Sequence, residues 1–188
     1  MKRLLLPFII AFGLAGCSSR PPWSEGRMIQ ERRPQLPTAQ DLSRFEERVL
    51  AMHDRERATT GAAPLSWDAG LAEAAAAYGP VLAAKPKLAH SEPGSRPGQG
   101  ENLWMGTKGA FSLEEMVGSW IEEKRLFAPG RFPEEVSTSG HWSDVAHYTQ
   151  MIWRGTNRVG CSLYSSRQWD YLICRYAPPG NVVGASVP

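Results

Sequence analysis

His147 lies within an apolar and aromatic stretch that reads Ala146-His147-Tyr148-Thr149-Gln150-Met151-Ile152-Trp153-Arg154-Gly155-Thr156. If this stretch forms a short helix, His147 and Met151 share one face at a spacing of four residues, with Gln150 beside them. An imidazole that projects from a packed surface is typical of a functional site, because its nitrogens bind metal ions. The alternative is a core histidine that is hydrogen-bonded to the backbone. The residues alone leave both interpretations open.

Glu123 is the second group with possible chemistry. Ser112 and Glu115 form a capping-box pattern that predicts the start of a helix. In that helix Glu123 falls within an apolar stripe that also contains Met116, Trp120 and Phe127. A carboxylate in such a stripe needs a partner unless it lies at the edge and reaches solvent.

The N-terminal residues 1–16 have the pattern of an export signal. Lys2 and Arg3 precede an apolar run from Leu4 to Leu14, which is too short to span a bilayer. Cys17 follows Ala15-Gly16, and this order resembles a bacterial lipobox, in which the cysteine is acylated; an ordinary signal with a chance cysteine is the alternative. We therefore predict a lipid anchor at Cys17 that holds the protein in the cell envelope, at the outer membrane if the cell has two membranes.

The cysteine count predicts one disulfide, and the net charge argues against nucleic-acid binding. With Cys17 acylated, the remaining pair, Cys161 and Cys174, is expected to form one disulfide outside the cytoplasm. The formal net charge of +2 falls to zero when Lys2 and Arg3 leave with the signal. A neutral mature chain gives no electrostatic case for nucleic-acid binding.

Five further stretches match motifs of one family. They are His53-Asp54-Arg55-Glu56-Arg57, His90-Ser91, Gly100-Glu101-Asn102-Leu103-Trp104, Trp120-Ile121-Glu122-Glu123 and Tyr171-Leu172-Ile173-Cys174-Arg175-Tyr176-Ala177-Pro178-Pro179-Gly180-Asn181-Val182. Together with the stretch around His147, they resemble the CAP superfamily, which comprises cysteine-rich secretory proteins, antigen 5 and pathogenesis-related 1. The resemblance covers about residues 42–182. The chain departs from the family pattern at Ala146 and Asp54.

The resemblance implies a fold and a site. The fold is α+β, a three-layer α-β-α sandwich. The site is a cleft in which two histidines and two glutamates converge, and residue by residue these are His90, Glu101, Glu123 and His147. His53 is read as a structural residue, because the family motif that it begins is mostly structural.

The implied tetrad suits a divalent metal, with zinc expected. His90 and His147 would supply nitrogen ligands, and Glu101 and Glu123 would orient the rings and favour a cation. Three functions follow: a binding module for lipid or an envelope partner, a metal-dependent hydrolase of peptide or cell-wall material in which Glu101 or Glu123 acts as the base, or a purely structural polar network. No nucleophile motif supports the hydrolase. We favour the binding module.

The elements that must position this site follow from periodicity. An amphipathic helix opens near Asp41 and ends around Gly61, and Asp68 caps a second helix that stops near Gly79-Pro80 or continues with a kink to Lys85-Pro86. Residues 128–139 are expected to be an exposed connection. Strands over 159–165 and 169–176 form a hairpin in which Cys161 faces Cys174. The predicted organisation is signal 1–16, acylated cysteine and flexible tether 17–39, CAP domain 40–183 and C-terminal tail 184–188.

Overall fold

A five-stranded mixed sheet carries the helices of this protein on its two faces. The structure is a computed structural model that describes residues 29–31 and 44–188. Its main elements are β1 Ile29–Gln30, α1 Phe45–Thr59, β2 Ser66–Trp67, α2 Ala69–Ala83, β3 Gly100–Thr107, α3 Leu113–Ile121, β4 Gly130–Arg131, α4 Ala146–Ile152, β5 Arg158–Ser165, β6 Trp169–Ala177 and β7 Ser186–Val187. Short 3-10 helices cover Pro93–Ser95, Glu122–Leu126 and Trp142–Asp144.

The sheet has the order β1-β3-β6-β5-β2. The three central strands are antiparallel, and β1 and β2 add parallel to the two edges. On β6, the guanidinium of Arg175 lies over the ring of Tyr78 in α2, whereas Tyr176 contacts His53 in α1. Because neighbouring strand residues point to opposite faces, α2 covers one face and α1 covers the other. The predicted α+β sandwich is confirmed.

The starts of α2 and α3 follow the sequence signals, and the end of α2 differs slightly from the predicted end. α1 begins at Phe45, after the N-cap residue Arg44, and the predicted start near Asp41 lies outside the described residues. Asp68 caps α2 by accepting a hydrogen bond from the backbone N–H of Leu71 at 3.0 Å. That helix continues through Pro80, as in the second of the two predicted alternatives, and ends at Ala83, before the predicted Lys85-Pro86. The capping box of Ser112 and Glu115 is confirmed at the start of α3.

The C-terminal hairpin has the predicted register. Leu163 faces Leu172, and Cys161 faces Cys174 across β5 and β6. The two cysteines form a disulfide. On its other side Cys174 is paired with Asn102 of β3, so the disulfide lies beside the strand that carries Glu101.

Three segments that the sequence analysis placed outside the packed fold contribute to it. In the predicted exposed connection, Phe132 and Val136 are buried in a second apolar cluster, and the prediction was wrong there because these side chains pack against α4 residues such as Tyr148. In the predicted C-terminal tail, β7 pairs with β4 and Val187 joins the same cluster. The packed fold therefore includes Val187. Within the predicted tether, Ile29–Gln30 pairs with β3 as a parallel strand.

Substitution of Gly160 by alanine tests how closely α2 packs on the sheet. A Cβ atom there would lie 2.3 Å from the amide nitrogen of Ala72 and 2.4 Å from the carbonyl oxygen of Asp68. Because both are backbone atoms of the first turn of α2, Gly160→Ala is expected to lower the free energy of unfolding by about 3 kcal/mol. Urea unfolding, monitored by tryptophan fluorescence, measures this change in the free energy of unfolding. Gly118→Ala is the control, because no atom outside its chain neighbours and its own helix backbone lies within 4 Å of its Cβ position. Equal stability of both variants would contradict the close packing.

No helix in the described ranges combines the length and the apolar character that a membrane span requires.

Candidate functional site

His147 occupies the first turn of α4, a helix that packs on α1, α3 and β3. Its ring is stacked on the indole of Trp120 from α3, with centroids 6.0 Å apart and an interplanar angle of 5°. Nδ1 lies 2.7 Å from Oε1 of Glu123. The His147 side chain is 15% exposed, so it is packed along its face and reaches the surface at its edge.

Glu123 supports both the ring and the backbone of this helix. It lies on the 3-10 turn that follows α3, and it is buried, whereas Glu122 is exposed. Its Oε2 accepts hydrogen bonds from the backbone N–H groups of His147 at 2.9 Å and Tyr148 at 3.0 Å. The N-cap residue of α4, Val145, provides no side-chain cap. Glu123 therefore caps α4 from another element, which is favourable for a carboxylate at a helix N-terminus.

The second pair, His90 and Glu101, forms at the start of β3. Nδ1 of His90 lies 2.6 Å from Oε1 of Glu101, which also accepts the backbone N–H of Ser91 at 3.0 Å. The other oxygen, Oε2, accepts the hydroxyl of Ser91 at 3.0 Å and lies 3.0 Å from Nη2 of Arg175. The Glu101 side chain is fully buried, while that of His90 is 55% exposed. The glutamate is therefore fixed from four directions, and the histidine faces solvent.

Burial by itself would raise the pKa of Glu101, but the hydrogen bond from His90 and the charge of Arg175 outweigh burial and lower that pKa. An ionised carboxylate only accepts hydrogen bonds, so the proton of the neutral His90 ring lies on Nδ1 and the lone pair on Nε2.

Arg175 is a residue of the candidate site that the motifs did not single out. It is 3% exposed, its guanidinium lies 5.4 Å from the Tyr78 ring centroid, and it forms the ion pair with Glu101. The signal that could have found it is a cation between Cys174 and Tyr176, within the otherwise apolar run 171–177. A charge at such a position needs a buried partner of opposite sign.

A polar network joins the two pairs through the residue next to Glu101. Asn102 donates from Nδ2 to the carbonyl oxygen of His147 at 3.1 Å and to the hydroxyl of Tyr176 at 3.2 Å. The Tyr176 hydroxyl also lies 2.9 Å from Nε2 of His53, whose Nδ1 donates to the carbonyl of Val49 at 2.8 Å. Burial lowers the pKa of His53 to about 4, so this ring is neutral at neutral pH. Its predicted structural role is confirmed.

The two positions that depart from the family pattern make structural contacts in this chain. Asp54 Oδ1 accepts the backbone N–H of Leu65 at 2.9 Å, which needs only an acceptor oxygen. The carbonyl of Ala146 accepts the side-chain amide of Asn181 at 2.8 Å. Neither substitution removes a member of the two His-Glu pairs.

Metal donors at this site would be the two imidazole Nε2 atoms. Neither Nε2 makes a hydrogen bond to the part of the chain that the structure describes, and each Nδ1 is held by a carboxylate. This is the arrangement in which protein histidines bind metals, since the carboxylate fixes the tautomer and the ring. Across residues 29–31 and 44–188, no three His, Cys, Asp or Glu side chains gather as a ready-made metal group. Each His-Glu pair therefore offers one imidazole nitrogen as a potential metal donor, with its tautomer fixed by a carboxylate.

Comparison with known sequences relates the chain to one family. The family model described as "Cysteine-rich secretory protein family" (CAP) matches residues 50–176. Pathogenesis-related protein 1B of Nicotiana tabacum is 36% identical over 143 residues, which are 75% of this chain and 79% of that protein. Secreted protein RBT4 of Candida albicans is 33% identical over 147 residues, which are 76% of this chain and 37% of that protein.

Solved structures share the fold. The crystal structure of NaASP2 with Zn²⁺ aligns with a TM-score of 0.61 at 23% identity and covers 83% of this chain and 89% of that one. The hookworm platelet inhibitor aligns with a TM-score of 0.60 at 15% identity and covers 82% of this chain and 79% of that one. At these identities the likeness concerns the architecture alone.

Proposed function

The chain belongs to the cysteine-rich secretory protein (CAP) family, and from this premise we propose that it is an exported binding module whose histidines His90 and His147 hold a divalent metal, with zinc as the expected ion. The observation that carries the proposal is that a glutamate fixes Nδ1 of each ring, at 2.6 and 2.7 Å, which leaves each Nε2 for a ligand. The metal would supply a positive centre that attracts an anionic or carbonyl group of a ligand.

The glutamates favour binding over hydrolysis. A general base needs a carboxylate oxygen within hydrogen-bond reach of the proton that it takes. Both oxygens of Glu101 and both oxygens of Glu123 already accept hydrogen bonds from the protein. These contacts suit residues that orient histidines and cap a helix. We therefore propose a ligand-binding role, with a lipid or an envelope component as the partner, in preference to hydrolysis of peptide or cell-wall material.

A membrane location is the second part of the proposal. Cys17 lies outside the described residues, and its proposed role as an acylated anchor depends on the lipobox-like order of residues 14–17. Export agrees with the disulfide between Cys161 and Cys174 and with the relative called Secreted protein RBT4. Export and acylation would place the binding site in the cell envelope.

Calorimetric titration with Zn²⁺ tests the metal site. Every described residue follows Cys17, so a chain that begins at Ser18 keeps all described elements. We expect stoichiometric binding by this chain and no measurable binding by His90→Ala/His147→Ala, because loss of a carboxylate partner alone costs about 10- to 100-fold in affinity. His141→Ala is the control, since His141 is exposed and lies outside both pairs.

Either of two results would overturn the metal proposal. Full binding by the double variant would place the ion elsewhere, and no binding by a folded wild-type chain would leave the four residues as a structural polar network. Turnover of a peptide or cell-wall substrate that stops in His147→Ala would replace the binding role with hydrolysis.

A further inference from the structure

A cavity of about 620 Å³ lies away from the two His-Glu pairs. Met105 lines it, and this residue is four positions after Glu101 on β3, or about 13 Å along the strand. The turn at 166–168, the C-terminal end of α2 and Glu31 complete its walls. Its volume falls in the range of about 300 to 1,000 Å³ that is usual for small-molecule sites.

The walls of the cavity combine an apolar side and a cationic side. Leu82, Met105, Trp169 and Tyr171 provide apolar and aromatic surface. Such a surface accommodates hydrocarbon and the glycerol region of an amphiphile, and aromatic side chains of this kind are common at membrane interfaces.

Three cations and one carboxylate line the same cavity. Lys85, Lys87 and Arg167 supply the positive charges, and Glu31 supplies the negative charge. The mature chain has a formal net charge of zero, so this excess of cations is a local feature and not a property of the whole surface. Cations beside apolar surface complement an anion that is attached to an apolar group.

The cavity lies at the edge of the sheet where the tether enters. Ile29–Gln30 pairs with Met105–Gly106, and the next residue, Glu31, lines the cavity. Eleven residues lie between Cys17 and Ile29, and the twelve steps of a fully extended chain span at most about 43 Å. An acylated Cys17 would therefore keep the cavity close to the membrane surface.

We propose that this cavity binds the headgroup of an anionic phospholipid and so docks the domain on the membrane. The placement at the membrane depends on the lipid anchor of the proposed function, but the recognition itself depends on residues 82–87, 105 and 166–171. The docking surface is separate from the metal-binding histidines. Lys85 and Arg167 contact the phosphate, and the aromatic wall contacts the acyl-glycerol part.

Vesicle sedimentation with the unacylated chain that begins at Ser18 tests the proposal. The vesicles contain either phosphatidylcholine alone or phosphatidylcholine mixed with phosphatidylglycerol. We expect binding only to the mixed vesicles, weakened by added salt. Lys85→Ala/Arg167→Ala is expected to reduce the partition coefficient about 30-fold, from about fivefold for each cation. Arg55→Ala/Arg125→Ala removes the same charge from exposed residues outside the cavity and is expected to have little effect.

Three results would overturn the headgroup site. They are equal binding to both kinds of vesicle, unchanged binding by Lys85→Ala/Arg167→Ala, and an equal loss in the Arg55→Ala/Arg125→Ala control, which would indicate a nonspecific charge effect. Circular dichroism of each variant establishes that it is folded. None of these results bears on acylation of Cys17, which the chain that begins at Ser18 lacks, or on Zn²⁺ binding, which is measured separately with the histidine variants.

Discussion

Replacing Arg57 with alanine is expected to lower the free energy of unfolding by about 4 kcal/mol. The Arg57 side chain is fully buried and donates to four backbone carbonyls. Nε donates to Ala63 at 2.6 Å, Nη1 to Met151 and Trp153 at 2.9 Å each, and Nη2 to Thr156 at 2.8 Å. Truncation would remove this donor from all four carbonyls, leave that of Trp153 with only the backbone N–H of Thr156 at 3.2 Å, and open a cavity.

Loss of the Arg57 side chain should also disturb the position of His147, because Arg57 holds the C-terminal end of α4, the helix that carries His147. Met151 and Trp153 belong to the last turn of α4 and the residue after it, where the carbonyls lack intrahelical partners. Arg57→Lys keeps the charge but replaces the planar fork with one ammonium group, so we expect a loss of about 2 kcal/mol.

Chemical denaturation with two-state analysis measures these differences. Arg154→Ala is the matched control: Arg154 is exposed and donates one hydrogen bond to the carbonyl of Thr60 at 3.0 Å. It is expected to change stability by no more than about 0.5 kcal/mol. If Arg57→Ala were as mild as Arg154→Ala, the carbonyls would have other donors and the assigned role would be wrong.

Glu101→Gln is expected to cost about 3 kcal/mol at neutral pH. The substitution keeps the size of the side chain but removes the negative charge, which leaves Arg175 buried without its counter-ion. It also replaces the acceptor that holds Nδ1 of His90, so Zn²⁺ affinity should fall about 10- to 100-fold.

The stabilisation that Glu101 provides should decrease as the pH falls. The pKa of Glu101 is lower in the folded protein than its ordinary value, through the hydrogen bond from His90 and the charge of Arg175 acting against burial. The stabilisation is therefore complete above the unfolded pKa of about 4.3 and is lost as the pH falls through the lower folded pKa. The stability difference between wild type and Glu101→Gln should shrink below about pH 4.

Glu56→Gln is the control for the carboxylate substitution. Glu56 is buried and pairs with Lys124 at 2.9 Å, but the Lys124 side chain is 46% exposed and can turn to solvent when its partner is lost. The control should cost no more than about 1 kcal/mol. A similar loss in both variants would show that Arg175 imposes no special demand on Glu101.

Local signals in the sequence predicted most of the secondary structure. The Ser112 capping box, the Asp68 cap and the alternating hairpin all hold, because each depends on neighbouring residues or on a short turn. The second apolar cluster was missed because Phe132 and Val136 lie in a segment without helix or strand periodicity. Their burial depends on α4 and on β7, which lies about 50 residues further along the chain.

In the site too, the sequence identified the residues but not the distant partners that hold them. Motif resemblance selected Glu123 over Glu122, and Glu123 is the buried one. Sequence reasoning left open whether Glu123 reaches solvent, because its partners, two backbone N–H groups of α4, belong to another element. The partner of Glu101 was not predicted either. Arg175 contacts Glu101 only through the antiparallel register of β3 and β6, in which the two residues face each other.

The pairing of β3 with β6 also affects the order in which the protein can fold. The hydrogen bond between Asn102 and Tyr176 spans 74 residues, and that between His53 and Tyr176 spans 123. Contacts of such high contact order require the closure of long loops before they stabilise anything, so they form slowly. His90, Glu101, Glu123 and His147 all precede β6 in the chain. A nascent chain or fragment that ends before Trp169 thus contains every member of the two pairs and lacks Arg175 and Tyr176, which hold their surroundings in place.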